Sequence, residues 1–147
     1  MTIKDILETM DYGKAPENVE ESISWLDQHN RKFGHFIDGS FCKGSGHFES
    51  LNPATNETLA LIAQGSESIV NRAVSAAKMA QPAWESLDGH ERARRLYALA
   101  RLLQKNSRLF ATLETMENGK PIRESRDIDI PLAQRHFYYH AGMAQLM

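Results

Sequence analysis

Few residues in this chain have types that carry chemistry. They are a single cysteine, Cys42; the histidine pair His136 and His140; the turn Gly44-Ser45-Gly46; a cluster of arginines; and scattered carboxylates. Cys42 would be a nucleophile if a positive environment or a helix N-terminus lowered its thiol pKa. It sits instead in a strand-and-turn stretch with His35 and His47 nearby in sequence, so a structural cysteine is expected. Gly44-Ser45-Gly46 would cradle phosphate if a helix N-terminus or Gly-Lys-Ser/Thr followed. Phe48 to Leu51 reads as a strand, so a hairpin turn is expected. His136 and His140 share a helical face. Zinc needs three or four ligands, and no glutamate stands beside His136, so ordinary surface or packing histidines are expected. Arg92, Arg94, Arg95, Arg101, Lys105 and Arg108 surround their helix rather than tracking one stripe, and Glu91 is placed to pair with Arg95 at i,i+4. A solvated face explains them better than a nucleic-acid patch. The carboxylates, Glu114, Glu117, Glu124, Asp127 and Asp129 among them, are not fixed beside partners by sequence alone.

The elements that must position these residues follow from periodicity. Residues 3–11 and 18–29 read as two short amphipathic helices split by Gly13 and Pro16, an arm that must pack on something larger. Phe36-Ile37-Asp38-Gly39-Ser40-Phe41 reads as strand, turn, strand. Phe48 to Leu51 and Thr58 to Ala63 are further extended pieces, and together these suggest hairpins. Ser66 or Ser68 is placed to cap the next helix, with Glu67 at its positive end. Val70, Ala73, Val74, Ala77, Ala80 and Trp84 then keep helical spacing, and the small alanines predict close approach by another element, with Pro82 at the fraying end. A second helix starts near Gly89-His90, with a restart capped by Ser107, and stops at Asn118-Gly119. A third begins at Pro121 and runs towards Met147. Pro131 either kinks it or marks a restart capped by Asp129. The expected fold class is α+β: a helical arm over 1–34, then hairpins and three long helices over 35–147. No β–α–β alternation of the kind that builds a parallel nucleotide-binding sheet is visible.

Bulk properties exclude several classes. The net charge of −2 gives no global field for nucleic acid or anionic lipid. No apolar run approaches the roughly 20 residues that span a bilayer. The N-terminal stretch has no long apolar core of a signal peptide, and one cysteine cannot form an internal disulfide. A cytoplasmic setting, with no nucleic-acid or membrane partner, is expected.

Several stretches, in order, resemble the N-terminal part of the aldehyde dehydrogenase superfamily. Phe36-Ile37-Asp38-Gly39 resembles its opening strand. Leu51-Asn52-Pro53-Ala54-Thr55-Asn56-Glu57 resembles its Asn-Pro-Ala-Thr-Gly-Glu turn, with Asn56 for glycine. Both residue types tolerate positive φ, so the turn is expected to survive. Ala73 to Trp84 resembles the family's alanine-rich helix, and Arg92 with Leu96, Leu99, Ala100 and Leu103 resembles its arginine-started one. Leu113 to Pro121 is similar to Leu-Glu-Thr-Leu-Asp-Asn-Gly-Lys-Pro, followed by Asp129-Ile130-Pro131 and Ala141-Gly142. The resemblance covers residues 36–147. The arm, through Glu8 to Gly13 and Ser24 to Asp27, resembles the extension of bacterial family 16 members.

The resemblance implies a parent that oxidises an aldehyde to an acid with NAD or NADP, through a cysteine thiohemiacetal and a glutamate-activated water. The motifs that carry those residues in the family are Pro-Trp-Asn-Phe, Gly-Ser-Thr-x-x-Gly, Glu-Leu-Gly-Gly and Gly-Gln-x-Cys. None occurs in these 147 residues, and Cys42 matches none of them. The expectation is therefore an N-terminal portion of the fold, without most of the nucleotide-binding sheet or any of the catalytic domain. Alone it would be inactive and hold no nicotinamide cofactor. The alternative is a stand-alone interaction module that docks on a full-length relative. Expected partners are further copies or the remainder of the parent enzyme. Two lesser roles carry over. A monovalent cation site is implied at Ser50, Leu51 and Glu117, where glutamate stands for the family's aspartate; loop anchoring without an ion explains the same residues. A substrate-tunnel wall is implied at Ile128, Leu132 and His136, at i, i+4 and i+8; core packing explains the same stripe.

Overall fold

The computed structural model describes residues 3–5 and 17–147. Residues 3–5 are helical, and the rest of the first expected arm helix lies outside the described residues. Helix α1 (Glu20–Gln28) follows, with Ser22 and Leu26 buried. Its end turns through Asn30 and Arg31, both at positive φ. Strands β1 (Lys32–Phe33), β2 (His35–Ile37), β3 (Ser40–Cys42), β4 (His47–Leu51) and β5 (Thr58–Ala63) come next. Helices α2 (Glu67–Glu85), α3 (Gly89–Lys105) and α4 (Ser107–Asn118) follow. The chain then enters a short helix α5 (Ile122–Glu124), a π-helical turn (Ser125–Asp129) and helix α6 (Ile130–Leu146).

β2 and β3 form the expected hairpin, closed by Asp38 (φ 52°) and Gly39 (φ 71°). Positive φ at both central residues is the turn geometry that matches strand twist, which is why Asp-Gly stands there. β4 and β5 pair antiparallel in a three-stranded sheet of order β1-β5-β4. The third partner, β1, runs parallel to β5 and is only two residues long, too short to leave a period in the sequence. The expected hairpin turn at Gly44-Ser45-Gly46 is not one. β3 pairs with β2 and β4 with β5, so these residues carry the chain from one sheet to the other. Gly44 is there for a close approach: a Cβ on it would lie 2.5 Å from the Gln64 carbonyl oxygen.

The three long helices form, with corrections at their ends. Ser66 caps α2 by accepting from the Ile69 amide. Pro82 does not end that helix, which runs on to Glu85; a proline forfeits one helical bond without forcing the chain to stop. No residue of α2 is buried, and Val70, Val74, Met79 and Trp84 are exposed. Among the described residues, then, the alanine-rich face that should have been closely approached stays largely open: it meets β2, Ala73 and Ala76 are half-buried, and Ala77 and Ala80 are exposed. Asp88 caps α3 by accepting from the Glu91 amide at 2.8 Å. Ser107 opens α4 but does not cap it. Asn106 holds that position, and its side-chain amide turns back to donate to the Leu102 carbonyl at 2.9 Å, closing α3. Asp129 does not cap α6 either. Its backbone is helical, the chain passes through Pro131 without a break, and a wide π turn stands before it.

Two packing centres result. Leu26, Leu59, Ala60 and Met116 are buried where α1, the three-stranded sheet and α4 meet. Separately, α3 lies against α6 through Ala93, Ala100 and Ala141, all 0% exposed. Gly89 lets the two backbones touch, since a Cβ there would sit 2.3 Å from the Ala144 carbonyl.

Candidate functional site

The sequence separates Ser50 from Glu117 by 67 residues, and the fold brings them together. The Ser50 hydroxyl donates to Glu117 Oε1 at 3.0 Å. Ser50 lies near the end of β4, where the ladder with β5 is irregular between Ser50 and Leu51. Glu117 is on the last turn of α4, which Gly119 ends in the left-handed conformation (φ 78°). That end is seated on the turn after β4: a Cβ on Gly119 would meet Pro53 Cγ at 2.8 Å. The turn itself is braced by Asn52, whose Oδ1 accepts from the Ala54 amide and whose carbonyl accepts from Asn56. Asn56 takes φ 59°, as expected of an asparagine standing for glycine. Leu51 is adjacent and exposed.

Beside Ser50 and Glu117 opens a cleft of about 190 Å³. Leu59, Ala60 and Ile62 of β5 line it together with Phe33 of the adjoining strand β1, which pairs with Ile62. Leu113 of α4 and Trp25 and Leu26 of α1 complete the lining. Trp25 and Phe33 stack with centroids 5.3 Å apart, and His29 lies 4.3 Å from Trp25. Among the described residues, Ser50 and Glu117 supply its hydroxyl and carboxylate.

Ile128, Leu132 and His136 lie on the π turn and α6, and all three are exposed. The segment that carries them is tied to the end of α4. Lys120 Nζ donates to Glu114 at 2.7 Å and to Asp129 at 2.5 Å, and the Thr115 and Ser125 hydroxyls are 2.9 Å apart. The hydrogen bond to Asp129, then that to Glu114, raises the Lys120 ammonium above its ordinary range. Next to them, Arg126 grips Asp127 through two nitrogens and holds that carboxyl below the usual carboxylate range. Sequence reading missed this clamp, because charged pairs six and nine residues apart fall outside helical spacing and appear only once the chain has turned at Gly119.

The remaining chemistry-bearing residues do not gather into one cluster. His35 lies opposite Cys42 on the β2–β3 hairpin, while His47 is on the other sheet opposite Ala63. His136 and His140 are exposed, and Tyr139 meets the His140 ring edge-on at 5.3 Å. No group of three or more His, Cys, Asp or Glu suited to a metal ion occurs among the described residues. Glu91 pairs with both Arg94 and Arg95, as a solvated basic face requires.

The pattern shared by the aldehyde dehydrogenase family matches residues 41–147. The chain belongs to the aldehyde dehydrogenase family. It is 38% identical over 117 residues to the 5-carboxymethyl-2-hydroxymuconate semialdehyde dehydrogenase of Escherichia coli, a stretch that is 80% of this chain and 25% of that protein. HpcC from Thermus thermophilus superposes with a TM-score of 0.78 at 33% identity, over 85% of this chain and 25% of that one. The aldehyde dehydrogenase of Bacillus cereus in its NAD+ complex superposes with a TM-score of 0.75 at 31% identity, over 90% of this chain and 26% of that one. The chain thus spans about a quarter of the length of these relatives, and its mixed helix-and-strand architecture is that of their N-terminal portion.

Gly44-Ser45-Gly46 lacks the setting in which a glycine-rich loop holds a nucleotide. Such a loop leads from a strand into a helix N-terminus. Gly44-Ser45-Gly46 leads into β4 instead. The oxygen donors at Ser50 and Glu117 do fit a hard cation in type, and two side chains leave further ligands to be found.

Proposed function

We propose that these residues form the N-terminal scaffold of an NAD(P)-dependent aldehyde dehydrogenase, and that hydride transfer and thioester chemistry reside in parts homologous to the other three quarters of its relatives. What carries the proposal is the collinear match to about a quarter of each relative, containing none of the family's catalytic motifs. In this reading residues 1–34 are an arm of the bacterial family 16 type, and 35–147 begin the dehydrogenase domain. The exposed stripe Ile128, Leu132 and His136 borders the aldehyde tunnel. Ser50, Leu51 and Glu117 hold a monovalent cation that pins the end of α4 to β4. The exposed α2 face packs on the rest of the enzyme or on further copies, in the cytoplasm. No helix among the described residues is long and apolar enough to cross a membrane. The alternative module that docks on a full-length relative would use the same α2 face, and collinearity with the family's N-terminal quarter favours the scaffold. Calorimetric titration of the chain with NAD+ tests this. We expect no saturable heat, and stoichiometric binding would overturn the reading.

A further inference from the structure

We propose that the cleft beside Ser50 and Glu117 binds a small organic cation, an alkylammonium whose charged nitrogen meets the Glu117 carboxylate while its apolar tail lies between Trp25 and Leu113. The inference rests on the cation role proposed above for Ser50 and Glu117, and adds the chemistry of the ligand.

Charge points to a cation. Neighbouring Glu114 has an ion-pair partner in Lys120, which it shares with Asp129. Glu117 has the Ser50 hydroxyl on one oxygen, and no basic side chain pairs with it among the described residues. A carboxylate in that state is an acceptor for charge-assisted hydrogen bonds. The walls point to an apolar body on that cation. A bare inorganic ion would leave the faces of Trp25, Phe33, Leu59 and Leu113 in water, whereas a short alkyl tail covers them. Size limits the tail: about 190 Å³ is below the 300–1,000 Å³ of drug-sized sites, so it suits a chain of a few carbons.

Trp25 reports on the cleft directly. In a Trp84→Phe background it is the remaining tryptophan of two, and its emission can be followed while n-butylammonium, neutral n-butanol or potassium is added. We expect a saturable change with n-butylammonium at a Kd on the order of 1 mM, and weakening by about tenfold in Glu117→Gln, which keeps the acceptor for Ser50 and removes the charge. Glu117→Asp should retain part of the affinity, and n-butanol should bind more weakly than the ammonium. If Trp84→Phe unfolds the chain, the Trp25 indole N–H resonance of the unmutated protein gives the same readout. No saturable response to n-butylammonium, equal affinity for n-butanol, or an unchanged Kd in Glu117→Gln each overturns the proposal. A potassium-dependent rise in melting temperature without any n-butylammonium response would sink this inference while sparing the cation site. Silence to both would remove the two together.

Discussion

Gly119 decides where α4 stops and therefore where Glu117 points. Its φ of 78° is costly for any residue with a Cβ, and the added methyl would be forced to 2.8 Å from Pro53. Gly119→Ala should destabilise the chain by about 1–2 kcal/mol, read as a shift in the urea midpoint without a change of slope. An unchanged midpoint would mean that the helix end and the Asn52-Pro53 turn are not mutually fixed. One residue further, Lys120 ties Glu114 to Asp129. Its folded pKa is raised above the ordinary 10.5. A base raised in this way contributes stability that is fully present below the unfolded value and is lost as pH rises through the folded one. Melting temperature should therefore fall in the alkaline range above about pH 10.4, and Lys120→Met should flatten that part of the profile while lowering stability at neutral pH. A Lys120→Met profile parallel to the original would show that the clamp contributes nothing. The ammonium is solvent-accessible, so the effect is small and salt-sensitive.

The elements show how much could be read in advance. Asp38-Gly39, Asn56 and Gly119 were legible because each meets a local backbone demand that few residue types satisfy. The Asp88 cap was not, since the sequence pointed to Gly89-His90 as the start and an aspartate ahead of them is one polar residue among several. β1 and the π turn were hidden for a different reason: a two-residue parallel strand has no period, and one extra residue in a helical turn leaves hydrophobic spacing almost unchanged. Of the candidate site, family motifs carried Ser50 and Glu117, and no local rule could have joined residues 67 apart. The alanines gave mixed guidance. Those of α3 do mark close approach, with Ala93 and Ala100 wholly buried against α6. Ala100→Leu should cost about 1–3 kcal/mol through overpacking. A neutral effect in chemical denaturation would mean that α6 can move away, and that the α3–α6 contact does not fix the exposed stripe.

At the scale of the molecule, the buried apolar residues gather under the three-stranded sheet and between α3 and α6, while α2 contributes none. Val70, Val74 and Trp84 on that helix are exposed and apolar, as expected of a surface shaped for a neighbour. The same reasoning applies to the proposed tunnel stripe. Ile128 at 51% exposure and Leu132 at 45% are largely uncovered among the described residues, as that proposal requires. The scaffold reading joins these faces to the absence of the family's catalytic motifs from the 147 residues. Its most direct test is aldehyde-dependent formation of NADH by the purified chain, supplied with NAD+, potassium and a panel of aliphatic and aromatic aldehydes. We expect no rate above a protein-free blank. Turnover that disappears in Cys42→Ser would contradict the scaffold reading outright.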